Sequence, residues 1–167
     1  MTIQAAQTKV LDLLSEINRP GIDSVIEFIK TSNYLTTAQC HGHHRREHGL
    51  MMHSLEVLDT MLNGNILGFP RESLIVVALF HDLGKATLNG RKIGRGMHPA
   101  RSIEILKKCG FALTPQESSA IYSHHPGSDP RKLASALGNP LQALLHTGDC
   151  RSTYLDKNGQ NYIFSSL

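Results

Sequence analysis

The chain has 167 residues, 17 basic and 14 acidic side chains, a formal charge of +3, no tryptophan and ten histidines. That length suits one domain with a real apolar core, while the charge is too mild for a surface that grips duplex DNA. No apolar stretch approaches the ~20 residues that span a bilayer, and Cys40, Cys109 and Cys150 are too scattered for a disulfide framework or a zinc knuckle.

The N-terminus is amphipathic and lacks a signal-peptide apolar region, so the expectation is a cytoplasmic protein with reduced thiols. Ile3, Ala6, Val10, Leu13, Leu14 and Ile17 recur at helical spacing, and Asn18-Arg19-Pro20-Gly21 stops them. Ile22, Val25, Ile26 and Ile29 continue as a second short helix. Residues 34–47 are polar, histidine-rich and aperiodic, which reads as a loop. Apolar positions 51, 55, 58 and 62 predict a third helix from Leu50 to Leu62, with His53 in its first turns and a stop at Asn63-Gly64-Asn65.

The run Leu74 to Phe80 fits a buried strand as well as a buried helix by pattern. Pro70-Arg71-Glu72-Ser73 ahead of it resembles a helix start, with proline early and an acid in the first turn, and favours a helix. Gly90 to Gly96 reads as a flexible loop. His98-Pro99 opens a helix carrying Ile103, Ile105 and Leu106, closed by Gly110. Thr114-Pro115-Gln116-Glu117 has the form of a capping box, and its helix runs towards His124-His125 and stops before Pro126. A turn at Gly127 to Pro130 and a short helix around 131–137 precede a last helix over 140–155, which carries Leu141, Leu144, Leu145 and Asp149. The apolar tail Tyr162 to Leu167 packs on its own domain or, in a homo-oligomer, on a neighbour. The fold class is all-α.

The histidine excess points to metal chemistry. His81-Asp82 closes the apolar run, and a carboxylate buried beside an imidazole is costly unless something compensates it; a divalent cation does so. Asp149, among Leu144, Leu145 and small residues, raises the same question. His124-His125 adds two donors at a helix end. A lone histidine is more often a surface or hydrogen-bonded residue than a ligand, and His41 and His146 are assigned that way. The basic bunches Arg45-Arg46 and Arg91-Lys92 with Arg95 are read as solvated surface or as phosphate contacts.

The order His53, His81-Asp82, His98, His124-His125, Asp149 resembles the HD superfamily of metal-dependent phosphohydrolases over roughly residues 45 to 155. The similarity includes His-Ser-Leu-Glu-Val at His53 and Ala-Leu-Phe-His-Asp-Leu-Gly-Lys around the central pair. Residues His43 to Val57 also look like the HD domains of bacterial 3′–5′ exoribonucleases and of some plasmid and phage proteins. Those typically carry Gly-Gly-Leu before the first ligand histidine, where this chain has His48-Gly49-Leu50. The chain has no room for the separate nucleic-acid-binding domain of the exoribonucleases.

The resemblance implies a single HD-type helical bundle over 1–167, with a metal-binding core at about 45–155, N-terminal helices (2–32) packed on it and a tail over 158–167. It implies that His53, His81, Asp82 and Asp149 hold one divalent ion, and that Asp82 bridges to a second held with His98 and His124. His125 is then an additional or supporting ligand. Mixed imidazole and carboxylate donors suit Mn²⁺, Fe²⁺, Co²⁺, Ni²⁺ or Zn²⁺, with Mg²⁺ also admissible. The implied activity is hydrolysis of a phosphate ester or anhydride of a nucleotide or short oligonucleotide by a metal-bridging hydroxide. Asp82 and Lys85 are the catalytic candidates, Lys85 being one turn beyond the pair and able to neutralise a phosphate oxygen. Arg45, Arg46, His48 and Arg151 are further substrate-binding candidates, although His48 sits about 140° from His53 around an ideal helix. The competing expectation is a non-catalytic HD module that binds a nucleotide or regulates a partner protein.

Overall fold

The computed structural model describes residues 1–39, 44, 46–87, 97–125 and 138–158. The predicted loop at 90–96, turn at 127–130, short helix at 131–137 and tail at 162–167 lie outside these residues, as do Cys40, His41, Arg45, Arg91, Lys92 and Arg95. Among the described residues the regular structure is helical throughout. In chain order it comprises α1 (Ile3–Ser15), α2 (Ile22–Thr31), α3 (Gly49–Asn63), α4 (Arg71–Phe80), a 3₁₀ turn (Leu83–Lys85), α5 (His98–Lys108), α6 (Pro115–Tyr122) and α7 (Pro140–Lys157). The all-α class is therefore observed.

α3 is the central element and packs chiefly against α4 and α7. The sequence pattern predicts one apolar stripe on it, but 12 of its 15 residues are buried. Neighbours surround it, so its polar residues must be satisfied internally. Ser54 donates to the Leu50 carbonyl and Thr60 to the Glu56 carbonyl, both at 3.0 Å. His53, Glu56 and Asp59 are buried on the same helix.

The run 74–80 is a helix, and every residue in it is buried. A helix apolar on all sides shows no amphipathic period, which is why pattern alone could not separate it from a strand. Each large side chain it buries contributes about 1.5–3 kcal/mol. α4 thus lies under the site as a rigid support, and its C-terminal end delivers His81.

The capping box at Thr114 is formed, with Glu117 donated to by the Thr114 backbone and Thr114 Oγ1 accepting from the Glu117 backbone. α6 ends at Tyr122, earlier than the sequence suggested, so His124 and His125 lie in the turn beyond it. The reason is local: the His124 ring takes the Ile121 carbonyl at 2.7 Å and caps the helix end. Glu117 also receives both terminal nitrogens of Arg19, at 2.7 and 2.9 Å, which ties the α1–α2 junction to α6.

Candidate metal centre

Four elements converge on Asp82. His81 is the C-terminal cap of α4, and Asp82 follows in a bridge-region conformation (φ −107°, ψ 9°) ahead of the 3₁₀ turn. This turn is held from α5 by a buried serine: Ser102 Oγ accepts from Gly84 N at 2.8 Å and donates to the His81 carbonyl at 3.0 Å. Gly84 is needed for the approach, because a Cβ there would overlap the carbonyl oxygen of His98. The first residue of α5, His98, is thereby brought beside Asp82.

The two oxygens of Asp82 face different groups. Oδ1 lies 3.1 Å from His98 Nε2 and 3.6 Å from His124 Nε2. Oδ2 lies 3.4 Å from His81 Nε2 and 3.8 Å from His53 Nε2. It also accepts from Gln39 Nε2 at 2.7 Å and Lys85 Nζ at 2.6 Å. Two donor groups result, His53–His81–Asp82 and Asp82–His98–His124–His125, with the donor atoms of each group lying within 4.8 Å of one another. Asp149, on α7, reaches both sides: Oδ1 is 3.1 Å from His53 Nε2 and Oδ2 is 3.3 Å from His125 Nδ1.

The tautomers are fixed by partners that can only accept. His81 Nδ1 meets the Ala78 carbonyl at 2.8 Å and His124 Nδ1 meets the Ile121 carbonyl at 2.7 Å. Both rings carry their proton on Nδ1, which leaves the Nε2 lone pair of the neutral ring aimed inward. His53 and His81 then approach Nε2 to Nε2 at 3.3 Å, and so do His98 and His124. Among the described residues, Asp82 Oδ1, fully buried, has no hydrogen-bond donor despite the nearby imidazoles. Lone pairs and carboxylate oxygens converging on one point repel each other unless a cation lies among them. The residues present therefore fit a divalent metal site.

The protonation states agree with that chemistry. Burial drives His53 down to about 4 and lowers His124. Burial and the neighbouring His124 bring His125 to about 3. Burial opposes ionisation of Asp82, but Lys85 and His81 hold its carboxyl well below the usual range. Asp149 is likewise held low, against its burial, by the hydrogen bond and charge of His53. His81 is pushed upward, because the charge of and hydrogen bond to Asp82 outweigh its burial. Ionised carboxylates among mostly neutral imidazoles are the state that metals require.

The other sequence candidates sit around this centre. Lys85, half-buried, is engaged by Asp82. Arg46 is exposed. His48 turns its Nδ1 to the Leu35 carbonyl at 2.6 Å and joins neither donor group. Arg151 donates to Thr60 Oγ1 at 3.1 Å. His146 meets the His124 carbonyl at 3.0 Å. Five residues close to the centre have no role in the sequence reading: Gln39, His44, Glu56, Ser102 and Ser152. Spacing could have found two of them, since Glu56 follows His53 and Ser152 follows Asp149 by three residues on a helix, the same face in each case.

A helical domain built around two histidine groups that share one buried aspartate has the donor set of a metal-binding domain. The chain is a member of the HD domain family, whose model matches residues 50–155. This is the superfamily of metal-dependent phosphohydrolases. No curated protein and no solved structure gives a significant match to the chain. No helix among the described residues is long and apolar enough to cross a membrane.

Proposed function

We propose that this protein is a hydrolase of a phosphate ester or anhydride in a nucleotide or short oligonucleotide, using two divalent transition-metal ions. The observation that carries the reading is the division of Asp82, with one oxygen towards His53 and His81 and the other towards His98 and His124. His53, His81, Asp82 and Asp149 would hold one ion, and Asp82, His98 and His124 the other, with His125 at the exposed edge. Such ions supply an acidified water and offset charge on the phosphoryl oxygens.

The chain's own residues do the rest. Asp82 stays ionised and fixes the relative placement of the two histidine groups. Lys85, 2.6 Å from Asp82 Oδ2 and partly exposed, neutralises charge on an incoming phosphate. Residues 1–167 are read as one domain acting in the cytoplasm, in keeping with the unpaired thiols of Cys109 and Cys150.

The test is turnover of a phosphoester panel of mononucleotides, cyclic dinucleotides and short oligonucleotides by metal-stripped protein reloaded with Mn²⁺. At least one member should be hydrolysed, and Asp82→Ala should abolish the activity. Turnover that survives Asp82→Ala removes the mechanism. A folded, metal-loaded protein that binds a nucleotide but hydrolyses nothing is the binding module instead.

A further inference from the structure

His81 and His124 are oriented by backbone carbonyls at helix ends, where carbonyls lack helical partners. His53 has no such recourse. It lies inside α3, where the carbonyls are consumed by the helix itself. Its Nδ1 instead meets Ser152 Oγ of α7 at 3.0 Å. The single hydroxyl proton of Ser152 is directed to Glu56 Oε2 at 2.5 Å. Ser152 therefore faces His53 as an acceptor, and the proton between them belongs to His53 Nδ1.

A second imidazole braces the pair: His44 Nε2 lies 3.0 Å from Ser152 Oγ and 3.1 Å from Glu56 Oε2. His44 is held in turn through its backbone N–H, which donates to Asp156 Oδ2 at 2.6 Å. Ser152 is fully buried, and Glu56 and His44 are nearly so. A buried carboxylate linked by one hydroxyl to the back of an imidazole is an orienting chain of the kind that raises ligand basicity.

We propose that Ser152 and Glu56 are positioning residues that lock His53 with its proton on Nδ1 and so present Nε2 to a divalent cation, with His44 as the brace. The inference rests on the reading of His53 as a metal ligand. It adds three residues that neither touch substrate nor bind metal, yet set the affinity of the site.

Zn²⁺ alone, titrated by calorimetry into the metal-stripped 167-residue chain, tests it. Ser152→Ala and Glu56→Ala should each weaken binding about 10- to 100-fold while circular dichroism stays that of the wild type. The double variant should be no weaker than the worse single one, because the two residues act as one chain. Ser152→Thr, which keeps the hydroxyl, should recover most of the affinity. A folded Ser152→Ala that binds Zn²⁺ as the wild type does overturns the inference. His53→Ala separates the two levels: if it binds Zn²⁺ undiminished, the metal-site reading itself falls and the inference with it. Should Ser152→Ala not fold, ¹⁵N and proton spectra of the Zn²⁺-loaded wild type decide. A slowly exchanging His53 Nδ1–H is expected, and rapid exchange or a proton on Nε2 overturns the proposal.

Discussion

His53 and His81 present their Nε2 atoms to each other at 3.3 Å, and the ring of His81 is fixed with its proton on the far side, against the Ala78 carbonyl. With both rings neutral and protonated on Nδ1, these two nitrogens face each other lone pair to lone pair. Their closeness becomes favourable with a cation between them and Asp82, so the fold should be more stable when metal is bound.

Thermal unfolding measures this. A divalent ion at about 100 times its dissociation constant stabilises the native state by ~2.7 kcal/mol. For a chain of this length that is roughly 5–10 °C in Tm. Mn²⁺, Co²⁺, Ni²⁺ or Zn²⁺ should produce the rise and a chelator should reverse it, whereas Asp82→Asn should show no rise. A wild-type melting curve indifferent to all four ions contradicts the expectation.

The turn after α4 makes a second prediction. Gly84→Ala drives a Cβ into the His98 carbonyl and against Ser102 N, both backbone atoms that cannot swing aside. Overpacking of this kind costs about 1–3 kcal/mol. The displaced α5 start should also carry His98 away from Asp82. Urea denaturation should show the lower midpoint, and metal content should fall below that of the wild type. Ser102→Ala should cost a comparable amount for a different reason, as it strands the Gly84 N–H and the His81 carbonyl without their partner. Wild-type midpoints for both variants would contradict this account of the turn.

The entrance to α3 contrasts two neighbours. His48 has φ 66°, in the left-handed region that favours glycine. An L-residue there costs about 1–2 kcal/mol, and the bond from His48 Nδ1 to the Leu35 carbonyl returns about 1. His48→Gly should therefore change stability by less than about 1 kcal/mol. Gly49→Ala should be far worse, since a Cβ at Gly49 overlaps the carbonyl of His44. Chemical denaturation of the two variants side by side checks the contrast, and equal losses would refute it.

The legible parts of the chain were those in which one residue type has one physical use. The capping box at Thr114, the helix stop at Gly110 and the spacing of α1 and α2 depend only on local chemistry, and they appear where the pattern put them. The family was legible from the histidine and aspartate order. What could not be read were the supporting contacts made between elements far apart in the chain. Gln39 reaches Asp82 from 43 residues away, and Ser152 reaches Glu56 from 96. An ordinary glutamine in an aperiodic loop, or a serine on a polar-looking helix, carries no mark of a partner on another element. The full burial of α3 was hidden likewise, because its polar residues suggest a solvent face until the helices that cover them are in place.

Away from the candidate metal centre, Arg19 and Glu117 give the last prediction. Glu117 is fully buried and receives Arg19 at 2.7 and 2.9 Å. Burial alone would raise its pKa, but the Arg19 hydrogen bonds, the Thr114 backbone and the Arg19 charge bring it below the ordinary 4.5. A carboxylate with a depressed native pKa contributes stability that is fully present above its unfolded value and is lost as pH falls through the native one. Glu117→Ala leaves Arg19 with Glu72 as its remaining carboxylate partner and should cost about 1.5–3 kcal/mol at pH 7. This deficit should hold at neutral pH and shrink progressively as pH drops below 4.5, where the wild type loses the same interaction. Urea midpoints of the two proteins across that range give the measurement. A stability difference that stays constant through acid pH would show that the pair contributes by packing and capping rather than by charge.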